Sequence, residues 1–315
     1  MTDQGVTPAE TRTAILLMAY GTPRSREEIL PYYTDIRRGR APTPEQLLDL
    51  TNRYEAIGGI SPLAQRTQAQ LEALQAALDE LAPSEYLVTL GLKHAAPMIE
   101  TAVDELAARG VRRIVALVLA PHYSSFSIGQ YHDRARAAAA AHGIAVACID
   151  SWATEPAFID FITTDLKARL ARMPVNTKVL FTAHSLPQRI IDAGDPYPNE
   201  LRATAQAVAA QVGLATWSQW AIAWQSAGRT PEPWLGPDIL QVISELGASE
   251  NAAGVIVSAC GFVSDHLEVL YDLDIEARAL ATKCGLVFDR TACVNDNPAV
   301  MRALAVRVIE KAGEA

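Results

Sequence analysis

The chain lacks several features that would assign it to a common class of protein. No apolar run reaches the roughly 18 residues that a membrane-spanning helix needs, so no integral membrane segment is expected. Residues 1–12 lack the basic start and the apolar stretch of a secretory signal, and we therefore expect a cytoplasmic protein. The net charge of -9 means that the chain also lacks the basic excess that favours phosphate backbones, which argues against a nucleic-acid partner.

Motifs for nucleotides and structural metals are absent as well. The glycine-containing segment at residues 58–62 has neither the GxGxxG nor the GxxxxGK[ST] spacing, so no nucleotide cofactor is expected. No CxxC motif is present, which argues against a structural zinc site. The only cysteines are Cys148, Cys260, Cys284 and Cys293, and in a reducing compartment we expect small buried side chains rather than disulfides. Four thiolates are nevertheless the number that an iron–sulfur cluster needs, so these four are candidate ligands.

What the chain does contain is a regular alternation of short apolar runs and helical patterns. The runs are typical of buried parallel strands and cover residues 14–19, 87–92, 113–120, 144–150, 178–182, 220–224, 255–260 and 286–288. The helical patterns between and after them cover residues 67–81, 97–109, 156–172, 198–212, 235–246 and 298–312. This alternation predicts an α/β fold with parallel sheets.

The number of strands indicates a duplication. Each half of the chain has about four, which favours two similar Rossmann-like domains, each with a four-stranded parallel sheet, and a cleft between them. We expect the first domain over residues 1–155 and the second over residues 156–296. The last helix, in residues 297–315, is expected to pack back on the first domain.

Two short segments look alike and lie far apart in the chain. Ala-Tyr-Gly-Thr-Pro at residues 19–23 and Ala-His-Ser-Leu-Pro at residues 183–187 each follow a predicted strand and lead into a turn. Ligands of open α/β sheets bind at the carboxyl ends of the strands. We therefore expect a cleft with the phenol of Tyr20 on one wall and the imidazole of His184 on the other. A near-neutral pKa suits His184 for proton abstraction, although a buried structural histidine is the alternative.

A row of carboxylates is the sharpest candidate for chemistry. Glu268, Asp272 and Glu276 are spaced i, i+4 and i+8, which places them on one face of a helix. Like charges at this spacing repel each other, so the row is either a solvated acidic face or a functional one. A functional row leading into a cleft could relay protons or pass on a hard divalent cation.

A basic cluster at residues 37–40 stands out in this acidic chain. It contains Arg37 and two further arginines, and it is either a solvated helix end or a site for an anion, because arginine pairs bidentately with carboxylates and phosphates. Arg53, Ser61 and Tyr131 could add donors to such a site.

Taken together, these residues resemble the ferrochelatase family, whose members insert ferrous iron into a porphyrin to make haem. The resemblance runs from about residue 14 to the last helix and is carried by MAYGTP (18–23), YEAIGGISP (54–62), GLKH (91–94), APHYS (120–124), AHSLP (183–187), WQS (224–226) and DHLEVLYD (265–272). It is strongest with the soluble bacterial members that use coproporphyrin III. It implies two similar four-stranded α/β domains of the class II chelatase type, with the porphyrin in the cleft between them.

The resemblance also implies roles for individual residues. His184 and Glu268 would be the paired catalytic residues and the ligands of the incoming ferrous iron, with a neutral His184 taking the pyrrole protons. Tyr20 would lie on the opposite porphyrin face, near the iron. The propionates would be held by Arg37, Arg53, Ser61 and Tyr131. Asp272 and Glu276 would form an outer metal site.

Cofactors, partners and alternatives follow from the same resemblance. Ferrous iron would be a substrate, and a [2Fe–2S] cluster, which some members carry, would have to use the four internal cysteines, because no cysteine follows Cys293. A monomer is expected, with a haem-dependent coproheme decarboxylase as the enzyme that consumes the product. The alternatives are a protoporphyrin IX ferrochelatase, another tetrapyrrole metal chelatase, and a non-catalytic porphyrin or haem carrier, which would need no carboxylate row.

Overall fold

The computed structural model describes residues 13–216, 218–228, 230–249 and 251–314. Residues 1–12, on which the expected absence of a secretory signal depends, lie outside this part of the chain. The strands are β1 (Thr13–Ala19), β2 (Tyr86–Leu92), β3 (Arg113–Val118), β4 (Ala145–Ile149), β5 (Thr177–His184), β6 (Trp220–Gln225), β7 (Gly254–Ser258) and β8 (Val287–Arg290). All eight predicted strands are therefore confirmed, with bounds that differ by a few residues.

The helices lie between these strands and at the end of the chain. They are α1 (Ile29–Ile36), α2 (Pro44–Ala56), α3 (Leu63–Leu81), α4 (Ile99–Ala108), α5 (Ile128–Ala140), α6 (Pro156–Leu170), α7 (Gln188–Asp192), α8 (Tyr197–Val212), α9 (Ile239–Ala248), α10 (Arg278–Lys283) and α11 (Pro298–Gly313). A π-helix, Glu268–Ala277, leads directly into α10. The helix predicted from residue 235 begins later, because Asp238 caps α9 by accepting a hydrogen bond from the backbone N–H of Leu240 at 2.8 Å.

The two sheets have the same topology. The first has the strand order β2-β1-β3-β4 and the second β6-β5-β7-β8, and every pairing within them is parallel. The predicted duplication and the α/β fold class are confirmed. β1 and β5 occupy equivalent central positions, so the side chains that follow them lie at equivalent edges. β5 extends beyond its predicted end because His184 still pairs with Gln225 of β6.

The central strands are buried because helices cover both faces of each sheet. Residues 14–18 of β1 have no exposed surface. One apolar cluster joins side chains of both halves, including Leu17 of β1, Phe181 of β5 and Met301 of α11. α11 packs along α3, and Arg113 of β3 donates a 2.9 Å hydrogen bond to the carbonyl of Ala312. In the described part of the chain, no helix is both long and apolar enough to cross a membrane.

Candidate active site

His184 is held at the carboxyl edge of the second sheet by a very close backbone approach. A Cβ atom on Gly261 would lie 2.4 Å from the Cβ of Ala183, so only glycine allows the loop after β7 to reach β5 here. The Nδ1 atom of His184 lies 2.5 Å from the carbonyl oxygen of Ser185, which can only accept a hydrogen bond. Nδ1 therefore carries a proton, and Nε2 is the ring atom left to exchange a proton or bind a metal.

Glu268 lies between two imidazoles at the start of the π-helix. Its Oε1 atom is 3.6 Å from Nε2 of His184, and its Oε2 atom is 3.7 Å from Nε2 of His266. The Nδ1 atom of His266 lies 2.9 Å from the carbonyl of Ser264, so this ring also turns Nε2 towards the carboxylate. The sequence analysis assigned no role to His266. Its position two residues before Glu268 is the sequence feature that could have indicated one.

The charges of His184 and Glu268 stabilise each other. Burial alone would lower the pKa of His184, but the carboxylate of Glu268 outweighs it and raises this pKa to about 9. Burial conversely favours the neutral acid of Glu268, but the imidazolium of His184 holds its pKa well below the usual range. At neutral pH the substrate-free chain therefore contains an imidazolium–carboxylate pair. The neutral His184 implied by the resemblance concerns the reacting state with porphyrin bound, so it stays a prediction.

Asp272 lies one turn further along the π-helix and is only 8% exposed. It accepts hydrogen bonds from the hydroxyl of Ser226 and, at 3.2 Å, from Nη1 of Arg53. Burial and the negative charge of Glu268 outweigh these two donors and raise the pKa of Asp272 to about 6. Asp272 can therefore change its protonation state near neutral pH, beside a Glu268 carboxylate that is ionised in the substrate-free chain.

The predicted carboxylate row lines a single cavity. This cavity has a volume of about 180 Å³, and its polar lining includes Arg53, Ser226, Asp238, Glu268, Asp272 and Glu276. The row is therefore not a fully solvated acidic face. Within the described residues, no three or more histidine, cysteine, aspartate or glutamate side chains form a group arranged to hold a metal ion.

The opposite wall is built around Tyr20, which directly follows β1. The ring of Tyr20 lies 4.6 Å from that of His94, and Nδ1 of His94 is 2.7 Å from Oδ2 of Asp35 on α1. Desolvation in the cleft raises the pKa of Tyr20, and the charges of Glu268 and Asp35 add to this effect. The phenol therefore keeps its proton at neutral pH, as its ordinary pKa of about 10 already favours. The influence of Glu268 on Tyr20 fits two walls that face each other.

The four residues expected to hold propionates have different surroundings. The Nε atom of Arg37 donates to the carbonyl of Arg40 at 3.2 Å, just after α1. Arg53 joins the carboxylate row through Asp272, and its guanidinium lies 4.7 Å from the ring centre of Tyr271.

Ser61 and Tyr131 are both buried in the first half. The Ser61 hydroxyl accepts a 3.2 Å hydrogen bond from the backbone N–H of Leu63 at the start of α3. The ammonium of Lys93 lies 4.9 Å from the centre of the Tyr131 ring. Burial, followed by the charges of Arg134 and Arg38, lowers the pKa of Lys93 to about 8. The first half thus adds Lys93 and Arg134, to which the sequence analysis gave no role, to the predicted basic cluster at residues 37–40.

The four cysteines are all free thiols at separate places in the fold. Cys148 is in β4 of the first sheet, Cys260 follows β7, Cys284 ends α10, and Cys293 follows β8. Burial raises the pKa of Cys260 to about 12, as expected for an apolar setting that disfavours the thiolate. The thiols are placed as the small buried or half-buried side chains that the sequence suggested, and they do not gather into one group of ligands.

Comparison with known proteins gives one consistent family. A family model described as Ferrochelatase matches residues 12–312. The chain is 44% identical over 306 residues to the coproporphyrin III ferrochelatase of Oceanobacillus iheyensis, covering 96% of this chain and 97% of the relative. It is 42% identical over 308 residues to the coproporphyrin III ferrochelatase of Bacillus subtilis, covering 96% and 98%. A protein of Herpetosiphon aurantiacus named ferrochelatase is 43% identical over 300 residues, covering 93% and 97%.

Solved structures agree on the fold. The sirohydrochlorin chelatase SirB from Bacillus subtilis subspecies spizizenii, in complex with cobalt, aligns with a TM-score of 0.58 at 14% identity, covering 96% of both chains. CbiX, described as the terminal enzyme for siroheme biosynthesis in denitrifying bacteria, aligns with a TM-score of 0.55 at 15% identity, covering 96% of this chain and 99% of that one. At this level of identity the likeness concerns the fold alone.

Proposed function

Because this chain belongs to the ferrochelatase family, we propose that it inserts ferrous iron into a porphyrin, and that this porphyrin is coproporphyrin III. The single observation that carries the proposal is the contact of His184 with Glu268 on a wall that faces Tyr20. The relatives named for coproporphyrin III support the choice of substrate. A carrier would need ligands for the porphyrin but no ionised acid–base pair, so the pair favours an enzyme.

The reaction exchanges two protons for one metal ion. As the ferrous ion forms bonds to the four ring nitrogens, the two pyrrole N–H groups release their protons. His184 is charged before substrate binds, so it must lose its own proton before Nε2 can accept one. Metal ligation uses the same Nε2 lone pair, so an arriving ferrous ion would favour loss of the first proton, and Nε2 would accept a pyrrole proton only after the ion has passed to the ring nitrogens. We propose that Glu268 and then Asp272, with its pKa of about 6, pass the protons into the acidic cavity.

Binding of the propionates would support this chemistry from a distance. We propose that Arg37, Arg53, Ser61 and Tyr131 hold the propionates and that this binding energy offsets the distortion of the flat ring, which exposes the nitrogen lone pairs. Coproporphyrin III carries four propionates, so donors on several sides of the cleft suit it. Tyr20, which stays protonated, would lie against the ring face opposite His184.

Further predictions follow from the resemblance. Asp272 and Glu276 would form an outer metal site, which the shared cavity supports. The [2Fe–2S] cluster stays a prediction to which the placement of the four thiols adds nothing, and no step depends on it. Analysis of the purified protein for bound iron and acid-labile sulfide tests it. A cytoplasmic location, a monomeric state, a domain division near residue 155 and a coproheme decarboxylase as the next enzyme are likewise proposals.

An anaerobic insertion assay tests the function directly. Ferrous iron is supplied with coproporphyrin III and, in parallel, with protoporphyrin IX, and the loss of free-porphyrin fluorescence is followed. We expect a much higher kcat/KM with coproporphyrin III. A preference for protoporphyrin IX would keep the chelatase but overturn the propionate assignments. Tight binding of either porphyrin without turnover would favour the carrier.

A further inference from the structure

Arg290, the last residue of β8, binds two aspartates that lie on either side of Glu268 in the sequence. Its Nε and Nη2 atoms donate to the two carboxylate oxygens of Asp274 at 2.8 and 2.9 Å. Nη2 also donates to Oδ1 of Asp265 at 3.1 Å. Asp265 lies three residues before Glu268 and Asp274 six residues after it, so one guanidinium ties the entry of the π-helix to its second turn.

The segment before the π-helix, to which Arg290 binds, also contacts the first half of the molecule. Asn295 exchanges two hydrogen bonds with Asp265, one from the backbone N–H of Asp265 at 3.0 Å and one to its Oδ2 atom at 2.9 Å. Gln70 of α3, which is fully buried, donates to the carbonyl of Asn295 and accepts from the hydroxyl of Ser264, both at 3.0 Å. Through these contacts, the loop that carries His266 is held against the opposite half.

A π-helix needs such support. It is a rare winding that neighbouring α-helical winding readily replaces, and it occurs mostly where tertiary contacts and function require it. A return to α-helical winding would turn the side chains along the segment relative to one another and move Glu268 away from the imidazoles. The planar guanidinium of arginine can donate hydrogen bonds to two carboxylates at once, whereas the ammonium of lysine acts only as a point charge.

We propose that Arg290 is a positioning residue that holds the π-helix in its winding and thereby keeps Glu268 against His184 and His266. Arg290 touches no reacting atom and acts only through Asp265 and Asp274. This inference rests on the proposed role of Glu268 in iron insertion. Arg290 is only 13% exposed, so its bonds compete little with water.

The test compares Arg290→Gln with a matched control in the same half. Arg169 also joins two carboxylates, with 2.7 Å hydrogen bonds to Asp165 and Asp289, but neither belongs to the π-helix. We expect kcat with coproporphyrin III and ferrous iron to fall about 10- to 100-fold in Arg290→Gln, the range seen when partners behind catalytic or metal-binding groups are lost. The porphyrin Kd should stay within about threefold of wild type, a split that general misfolding would not give. Arg169→Gln should keep kcat.

A second variant and a hydrogen-exchange measurement test the role of Arg290 independently. Asp274→Asn removes the bidentate partner with less risk to folding and should reproduce the loss of kcat. Hydrogen–deuterium exchange should show residues 265–277 losing protection in Arg290→Gln but not in Arg169→Gln. Equal kcat values in the two glutamine variants, or unchanged protection of residues 265–277, would overturn the inference. If wild type itself shows no turnover, the proposed function fails, while the exchange result still decides whether Arg290 holds the segment.

Discussion

The two walls of the cleft have the same position in their sheets but opposite electrostatics. Tyr20 follows the central strand β1, and His184 ends the equivalent strand β5. In the first half the nearby carboxylate, Asp35, bonds to the second ring, His94, and leaves the phenol neutral. In the second half Glu268 pairs with the strand-end ring itself, which becomes charged. The contact with Glu268 therefore gives the second wall a charged ring, whereas the first wall keeps a neutral phenol.

The surroundings of the walls differ in the same way. The second wall opens on an acidic cavity, so protons leaving His184 meet carboxylates. The first wall has Lys93 close by and is influenced by the charges of Arg134 and Arg38, so it favours an anionic group of a ligand. One duplicated frame thus presents two walls of different charge, and separate substitutions can test the proposed roles of the first in binding and of the second in proton transfer.

Removal of the imidazole of the second wall should have the largest effect. In His184→Ala we expect iron insertion to fall by about 10² to 10⁴, the usual range for loss of a general base. The porphyrin Kd, measured by fluorescence, should change little, because the residues proposed to hold the propionates do not include His184. His142, which pairs with Asp104 at 2.6 Å on the surface, provides the control His142→Ala. Wild-type turnover in His184→Ala would remove this residue from the mechanism.

Removal of the carboxylate of Glu268 should lower the pKa of His184. In Glu268→Gln the burial that lowers the pKa of His184 remains and the charge of Glu268 is gone, while the hydrogen bond to the Ser185 carbonyl and the weaker effect of Asp272 still raise this pKa. We expect NMR titration of the imidazole to give a pKa well below the value of about 9 in the wild type. Asp104→Asn should leave His184 unchanged. A value that stays near 9 in Glu268→Gln would show that another group charges the ring.

The same substitution should change how stability depends on pH. A pKa raised on folding means that the charged His184 stabilises the folded chain fully below the unfolded pKa, and that this stabilisation is lost as the pH rises through about 9. Wild type should therefore lose unfolding free energy between about pH 6.5 and 9 in urea titrations. The Glu268→Gln variant should lose less over this interval, and an identical loss would contradict the assignment.

The sequence alone predicted the two four-stranded sheets and the ends of their central strands. Apolar runs are local, and they located β1 and β5 and hence Tyr20 and His184. Contacts between distant residues were not accessible, because a sequence pattern does not show which loops meet. Asp35 and His94 are 59 positions apart, and Arg53 and Asp272 are 219 apart.

The π-helical winding of the segment that carries the carboxylate row could not be predicted from the sequence either. A spacing of i and i+4 looks the same in α- and π-helical segments, and the choice between them depends on tertiary contacts such as those of Arg290. The charge of His184 could not be predicted for a similar reason. It depends on a distance to Glu268 that only the folded chain defines.

Loss of the carboxylate of the first wall should have a smaller effect than loss of Glu268. Asp35→Asn removes a charge-assisted bond to His94 and loosens α1, whose only fully buried residue is Ile29. We expect the porphyrin Kd to rise about three- to tenfold, with a smaller change in kcat, because a partly exposed hydrogen bond to a charged group contributes about 1.5 kcal/mol. Asp104→Asn removes a similar bond outside the cleft and should change neither value. A loss of kcat as large as that in His184→Ala would show that both walls transfer protons.

The smallest effect is expected from the phenol of the first wall. Because the pKa of Tyr20 is raised, its hydroxyl does not titrate between pH 6 and 9, so Tyr20→Phe should leave the shape of the pH–rate profile unchanged over this range. The ring contact with His94 is retained by phenylalanine, which keeps the wall in place. His184 and Asp272 should still set the profile, through pKa values of about 9 and about 6 in the substrate-free chain. A profile that loses one of its ionisations in Tyr20→Phe would mean that the phenol exchanges protons and that the two walls share the chemistry.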